Sequence, residues 1–187
     1  ANLVLTIDET IQYIAERELD KAFKDHQARA ATAIVMDPAT GEILAMASRP
    51  TFDPNKYSDY PASNRRNFAI NDVYEPGSTM KITTAAMALE ERTVNSSSRF
   101  YCPGYVKVGK ETIRCSSGKA HGSQTFAQIV ENSCNVGFVK VGLDLGMEKY
   151  YQYIRAFGFG QKTGIDLPGE ATGILVPQSR AKQIDLA

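Results

Sequence analysis

Glu75-Pro76-Gly77-Ser78-Thr79-Met80-Lys81 opens an amphipathic stretch, and its reading decides how the rest of the chain is understood. A spacing of three on a helix puts the Ser78 hydroxyl and the Lys81 ammonium on one face, within reach of each other. A serine hydroxyl is a poor nucleophile until a base takes its proton. A lysine held in low-dielectric surroundings can lose its own proton and serve. Gly77 lets the chain turn without a side chain in the way, and N–H groups at a first helical turn favour the negative charge that develops during acylation. The bland alternative is a serine capping a helix beside a solvated lysine, and an isolated S-x-x-K fits that reading well. Ile82 and Ala86 mark an apolar stripe on this helix. Lys81 therefore turns inward with Thr84 and Ala85 if Ser78 does, and no carboxylate three or four residues away explains a buried lysine there.

A second element separates the two readings. Ser133-Cys134-Asn135, inside the run VENSCNVGF (130–138), sits at a predicted junction between helices. An extended connection there lets Ser133 and Asn135 face one cavity. The serine hydroxyl can relay a proton between Lys81 and a leaving amine, and the asparagine amide can hold both Lys81 and a substrate carbonyl. Either residue can also cap the following helix. Cys134 points the other way, as a small core thiol.

Outward from these motifs the elements follow from periodicity. Leu3–Ile7 alternates as a strand, and Thr6-Ile7-Asp8-Glu9 makes a capping box for a helix to about Lys24. Ala31–Met36 and Glu42–Ala47, joined by Asp37-Pro38-Ala39-Thr40-Gly41, form a hairpin at the heart of an antiparallel sheet. Residues 49–75 read as a long ordered loop. The Ser78 helix ends near Arg92, a hairpin over 101–115 turns at Gly109-Lys110, and residues 119–123 are a short loop. Helices follow from Thr125 to Ser133, from Val136 to Leu145 and from Met147 to Phe157, and then comes the Gly-rich FGFGQKTGIDLPGEATG (157–173). The parts are a helix plus central hairpin over 1–48, a helical subdomain over 76–157, and a loop and tail over 158–187.

The 187 residues suffice for one domain or most of a larger one. Lys+Arg and Asp+Glu each number 21, so the net charge is zero, and no basic run points to nucleic acid or a membrane surface. No apolar stretch is long enough to span a bilayer, and no signal peptide opens the chain. Ala1-Asn2-Leu3-Val4 reads as mid-strand, as expected of a chain cut from a longer one.

Three cysteines do not make a disulfide scaffold. Cys102 and Cys115 flank the 101–115 hairpin and either pair, in an oxidising compartment, or remain two reduced thiols. Adding His121 suggests zinc, but with no fourth ligand and irregular spacing the metal is set aside.

The set LTIDETIQ (5–12), VMDPATGEILAMASRPTFDPN (35–55), EPGSTMK (75–81), AHGSQT (120–125), ENSCN (131–135) and FGFGQKTGIDLPGE (157–170) resembles, in this order and over nearly the whole length, the transpeptidase domain of a class B penicillin-binding protein of the cell-division or sporulation type. The resemblance implies an α+β fold, with an antiparallel sheet flanked by helices and a mostly helical subdomain, as in the wider penicillin-binding protein and serine β-lactamase group. It makes Ser78 the acyl-enzyme serine, Lys81 its general base, Ser133 the proton relay and Asn135 a substrate-binding group. The implied reaction is D,D-transpeptidation of peptidoglycan stem peptides on the extracytoplasmic face of the bacterial membrane. It requires no cofactor and is blocked by β-lactams that acylate Ser78. Division or sporulation cell-wall proteins are the implied partners.

The family's third motif is K-T-G or K-S-G on a strand. Lys162-Thr163-Gly164 has the letters, but its Gly- and Pro-rich surroundings and Ile165 in the next position read as a loop. The chain is therefore expected to end before that motif, to hold half a site and to be inactive alone, with the membrane anchor missing from the other end. Two alternatives stand beside this one. A serine β-lactamase would need a carboxylate-bound water, for which Glu170 is the candidate, though it lies in a turn. A β-lactam-sensing or scaffold module would keep Ser78 without turnover.

Overall fold

Asp8 starts the first helix: its side chain accepts from the Ile11 N–H and caps α1 (Glu9–Asp25). In this computed structural model, which describes residues 3–116 and 118–186, the chain forms two units. One combines the chain up to Val73 with Gly164–Ala171. The other combines Tyr74–Thr163 with the chain from Thr172 onward.

In the first unit α1 packs on an antiparallel hairpin, β1 (Ala31–Met36) and β2 (Ile43–Arg49), as the alternation and the Asp37–Gly41 turn predict. Ala31 pairs with Arg49 and Val35 with Ala45, and the register slips at Val35/Met36. Ala45, Ala47 and Arg49 on alternate positions of β2 are buried. Gln12 ties helix to strand at both ends of its amide, which donates to the Met46 carbonyl (3.0 Å) and accepts from the Met46 N–H (2.8 Å). The buried Arg49 guanidinium is met by Asp20 at 2.5 Å, which satisfies the one buried charged side chain among this unit's described residues.

Two expectations at the start of the chain need correction. Leu3–Ile7 does not form a strand, and Leu3 and Val4 are 82% and 91% exposed. This stretch meets β2 through the Thr6 hydroxyl on Ile43 O (2.6 Å) and the Asp8 N–H on Leu44 O (2.9 Å). The Thr6 hydroxyl is thus engaged away from the helix, so Asp8 caps α1 in place of the expected box. Ala1 and Asn2, part of the same expectation, lie outside the described residues. The 49–75 loop carries two 3-10 turns, Pro54–Asp59 and Ala62–Arg65, and a single helical turn, α2 (Phe68–Asn71). Asn71 Nδ2 donates to Gly169 O (2.8 Å) and the Ala171 N–H to Ile70 O (2.9 Å), which anchors the 164–171 segment here.

The second unit holds both motifs. A 3-10 turn, Gly77–Thr79, leads into α3 (Met80–Glu90). Strand β3 (Arg99–Cys102) is followed by the hairpin β4 (Tyr105–Val108) and β5 (Glu111–Arg114). Strand β6 (Gly122–Thr125) runs directly into α4 (Phe126–Glu131), and α5 (Asn135–Leu145) and α6 (Met147–Ala156) complete the unit. The β4–β5 hairpin is as expected. The pairing of β3 with β6 is not, because residues 119–123 were expected as loop and the partner strands lie far apart in sequence. Thr125 and Gln128 form a reciprocal capping box at α4.

Helix α5 is apolar on nearly all faces and buried to match, the signature of a central helix. Around it Ala88, Phe126, Ile129, Val136 and Val141 make the main core, while Met87 joins Leu145 and Ile154 in a second cluster. That arrangement leaves the expected apolar stripe of α3 outside: Ile82 is 64% exposed and Ala86 is exposed. Thr84 and Ala85 go inside, as the inward turn of Lys81 predicts, and Met87 and Ala88 join them because α5 and α6 pack on that side. Ile129 is fully buried, and a Cβ added at Gly137 would stand 2.9 Å from two of its carbons. Ile129→Ala is accordingly expected to lower unfolding free energy by about 2–5 kcal/mol in urea titration, and Gly137→Ala by about 1–3 kcal/mol through overpacking. An Ile129→Ala midpoint equal to the parent's would contradict this core.

Candidate active site

Gly77 takes φ +55°, a conformation open to glycine, and delivers Ser78 to the exposed turn ahead of α3. The Ser78 side chain does not cap the helix. Its hydroxyl meets Lys81 Nζ at 3.2 Å. Lys81 is half-buried, makes no ion pair among the described residues, and lies 5.7 Å from the Phe138 ring centre. Nζ also reaches Ser133 O at 2.7 Å, Ser133 Oγ at 2.9 Å and Asn135 Oδ1 at 2.5 Å. The other three residues singled out from the sequence therefore converge on the Lys81 ammonium, although Ser133 and Asn135 lie more than fifty positions beyond it.

The convergence comes from an unusual turn. Ser133 has φ +47°, a left-handed conformation that costs a non-glycine residue about 1–2 kcal/mol. Cys134 is extended and Asn135 is the first residue of α5. The connection is thus a left-handed kink instead of the extended link expected. The cap of α5 is neither Ser133 nor Asn135 but Cys134, whose sulfur accepts from the Gly137 N–H. Asn135 is held from its other end, since Nδ2 donates to Arg114 O at 2.7 Å.

Two of the four Lys81 contacts, Ser133 O and Asn135 Oδ1, can only accept. They claim two N–H bonds. The remaining tetrahedral position of Nζ faces two hydroxyls, Ser78 and Ser133, which accept from an ammonium or donate to a neutral amine. Loss of one proton therefore places the lysine lone pair between a serine to be deprotonated and a serine that can pass the proton on. Burial pushes the Lys81 ammonium below its usual value, partly offset by the nearby Cys134 and Cys115 sulfurs. Both arrangements suit a general base. A cavity of about 340 Å³ opens on this cluster, lined by Ser78, Lys81, Thr84, Ile113, Asn135 and Phe138 among others.

Ser133→Gly separates backbone from chemistry. It removes the left-handed strain, so unfolding midpoints should hold or rise, while a hydroxyl that relays the proton would on removal lower acylation by about 10²–10⁴-fold. An unchanged acylation rate would remove Ser133 from the reaction.

Lys162-Thr163-Gly164 lies in irregular chain outside any strand, and Lys162 and Thr163 do not line this cavity. Glu170 likewise sits in irregular chain after a turn. Cys102 and Cys115 are not joined by a disulfide and are not cross-strand partners, because Cys102 ends β3, which pairs with β6. The ground for setting a metal aside, a missing fourth ligand, does not hold. Cys134 packs 3.8 Å from Cys115 and supplies the fourth group. Its place between two site residues hid it, since only the fold brings residues 102, 115, 121 and 134 together.

Comparison with known proteins bears on the whole arrangement. The model of the penicillin binding protein transpeptidase domain matches residues 31–187. The chain is 48% identical, over its full length, to Stage V sporulation protein D of Bacillus subtilis, and covers 29% of that protein. It is 33% identical to the peptidoglycan D,D-transpeptidase FtsI of Escherichia coli, again over its full length and 31% of that protein. It thus spans under a third of each. Among solved structures, penicillin binding protein 3 of Mycobacterium tuberculosis complexed with aztreonam superposes with a TM-score of 0.91 at 32% identity, over 98% of this chain and 41% of that one.

Proposed function

Because the chain belongs to the penicillin binding protein transpeptidase domain family, we propose that it carries the acylation centre of a peptidoglycan D,D-transpeptidase. The observation that carries this reading is the four-way contact of Lys81 Nζ with Ser78, Ser133 and Asn135. Ser78 Oγ attacks the carbonyl carbon of a stem peptide's penultimate D-alanine while its proton passes to Lys81 Nζ. The Ser133 hydroxyl takes that proton on to the nitrogen of the terminal D-alanine as the C–N bond breaks. The resulting ester on Ser78 is then attacked by an amine of a neighbouring strand, which forms the cross-link and frees the serine. The Ser78 N–H, at the amino end of the turn into α3, is one donor for the developing oxyanion. Asn135 positions Lys81 and borders the substrate cavity.

A β-lactam presents a strained amide to the same serine and leaves the acyl group in place. The work belongs outside the cytoplasm, where peptidoglycan is assembled, and the likeness to a sporulation protein and to FtsI supports partners among sporulation or division cell-wall proteins. No helix among the described residues is long and apolar enough to cross a membrane. The transpeptidase names of the relatives weigh against the β-lactamase alternative.

Because Lys162-Thr163-Gly164 is read as a loop, the test is intact mass of the purified protein, on a chain that continues through a strand-borne K-T-G motif, during incubation with benzylpenicillin. A single long-lived adduct of one penicillin per chain supports the transpeptidase. Fast turnover of the antibiotic without a persistent adduct would favour the β-lactamase, and no reaction at all would favour the scaffold.

A further inference from the structure

Cys102 ends β3, Cys115 follows β5, His121 precedes β6 and Cys134 caps α5, so four separate chain segments each bring one soft donor atom to the same spot. The Cys102 and Cys115 sulfurs are 3.6 Å apart, and those of Cys115 and Cys134 are 3.8 Å apart. His121 Nδ1 lies 3.6 Å from Cys102 Sγ and 3.6 Å from Cys115 Sγ, and all four donor atoms fall within 4.8 Å of one another. A tetrahedral zinc ion with Zn–S bonds of about 2.3 Å and a Zn–N bond of about 2.0–2.1 Å requires S···S edges of about 3.8 Å and S···N edges of about 3.6 Å. Four of the six edges agree with that tetrahedron, and the two from Cys134 to Cys102 and to His121 lie within 4.8 Å, so a small inward shift of Cys134 closes it. We propose that Cys102, Cys115, His121 and Cys134 hold one zinc(II) ion.

The surroundings fit thiolates better than a patch of core thiols. The Gly104 N–H donates to Cys102 Sγ and the Gly137 N–H to Cys134 Sγ, both at 3.4 Å, and such bonds stabilise sulfur carrying negative charge. Gln124 is 3% exposed, and its Nε2 is buried without a hydrogen-bond partner among the described residues. All three cysteines are buried, as a structural site requires. Three thiolates with one neutral imidazole select zinc over magnesium, calcium or manganese. Binding displaces the thiol protons to solvent, so it releases up to three per ion and weakens at low pH. Four protein ligands close the coordination sphere and leave no place for substrate, so the ion's role is architectural.

Its position gives that role a consequence. Cys134 is flanked by Ser133 and Asn135, and Cys115 follows Arg114, whose carbonyl holds the Asn135 amide. The ion thus clamps both sides of the turn that keeps Ser133 left-handed and aims three of the Lys81 contacts. The metal site stands apart from the reaction proposed above; its effect on acylation rests on that reading.

Metal analysis of the purified, desalted protein should give one zinc per chain, and Cys102→Ser and His121→Ala should each lose most of it. Exchange with cobalt(II) should produce thiolate-to-cobalt charge transfer and the intense visible bands of a tetrahedral site. Chelation should lower the thermal midpoint reversibly, with recovery on adding zinc. These measurements on the unaltered protein decide the matter even where a variant fails to fold. A folded protein with no zinc and three alkylatable thiols would overturn the proposal, as would a mass two hydrogens lower from a disulfide. Removing the metal should slow penicillin acylation by about 10²-fold, as expected for a misplaced catalytic group. Acylation at the full rate in metal-free protein would overturn the clamp while leaving the ion, and loss of acylation with zinc retained would point instead to the reaction assignment.

Discussion

Ser78→Ala abolishes the covalent penicillin adduct and leaves the fold intact; that is the result expected from intact mass and thermal unfolding run side by side. The two halves of this expectation rest on different observations. Ser78 is exposed, caps nothing, and makes its one side-chain hydrogen bond among the described residues with Lys81. Its loss leaves no buried group unpartnered, because Lys81 keeps three oxygen contacts. The chemistry, by contrast, has no substitute nucleophile among the described residues within hydrogen-bond reach of the Lys81 amine other than Ser133, whose hydroxyl is 2.9 Å away. An adduct that persists in Ser78→Ala and maps to Ser133 would therefore exchange the two serines' roles. A persistent adduct elsewhere would sink the nucleophile assignment altogether.

Lys81 is the second position where a large effect is expected. Lys81→Met keeps the length and apolar character of the stem while removing the base, and acylation should fall by about 10²–10⁴-fold. Lys81→Arg should fail as badly, since a guanidinium cannot give up its proton and its planar fork cannot satisfy four oxygens arranged around a single nitrogen. The pH profile distinguishes a base from a mere anchor. Burial holds the Lys81 ammonium below the usual lysine value, so the neutral form accumulates at lower pH than for a free lysine. Acylation should rise with pH along a limb whose midpoint lies below that of a free lysine, and that limb should vanish in Lys81→Met. A parent profile flat across that range would show that lysine deprotonation does not limit the step.

Both motifs were legible in the sequence because their chemistry is local: a serine and a lysine one helical turn apart, and a polar pair at a helix junction. The β1–β2 and β4–β5 hairpins were legible for the same reason, each being closed by its own turn residues. What escaped depended on contacts between distant segments. The exposed face of α3 carries Ile82 and Leu89, and only the packing of α5 and α6 shows that the Met87 side is the inner one. Strand β6 is short and polar apart from its pairing with β3, so no period marks it. Cys134 read as an inert core residue since its three companions arrive from elsewhere in the chain. The left-handed backbone of Ser133 had no glycine or asparagine to announce it.

Asn135 uses its two amide ends on opposite partners, the oxygen on Lys81 and the nitrogen on the Arg114 carbonyl. An aspartate would occupy the same volume, yet it would set one carboxylate oxygen against a carbonyl and the other against the lysine. The first contact repels, and the second locks the amine in its charged form. A swap of one nitrogen for one oxygen would thus convert the base into a permanent counter-ion, with no change in shape for a steric argument to detect. Neutrality at residue 135, more than fit, is what keeps the amine free to lose its proton.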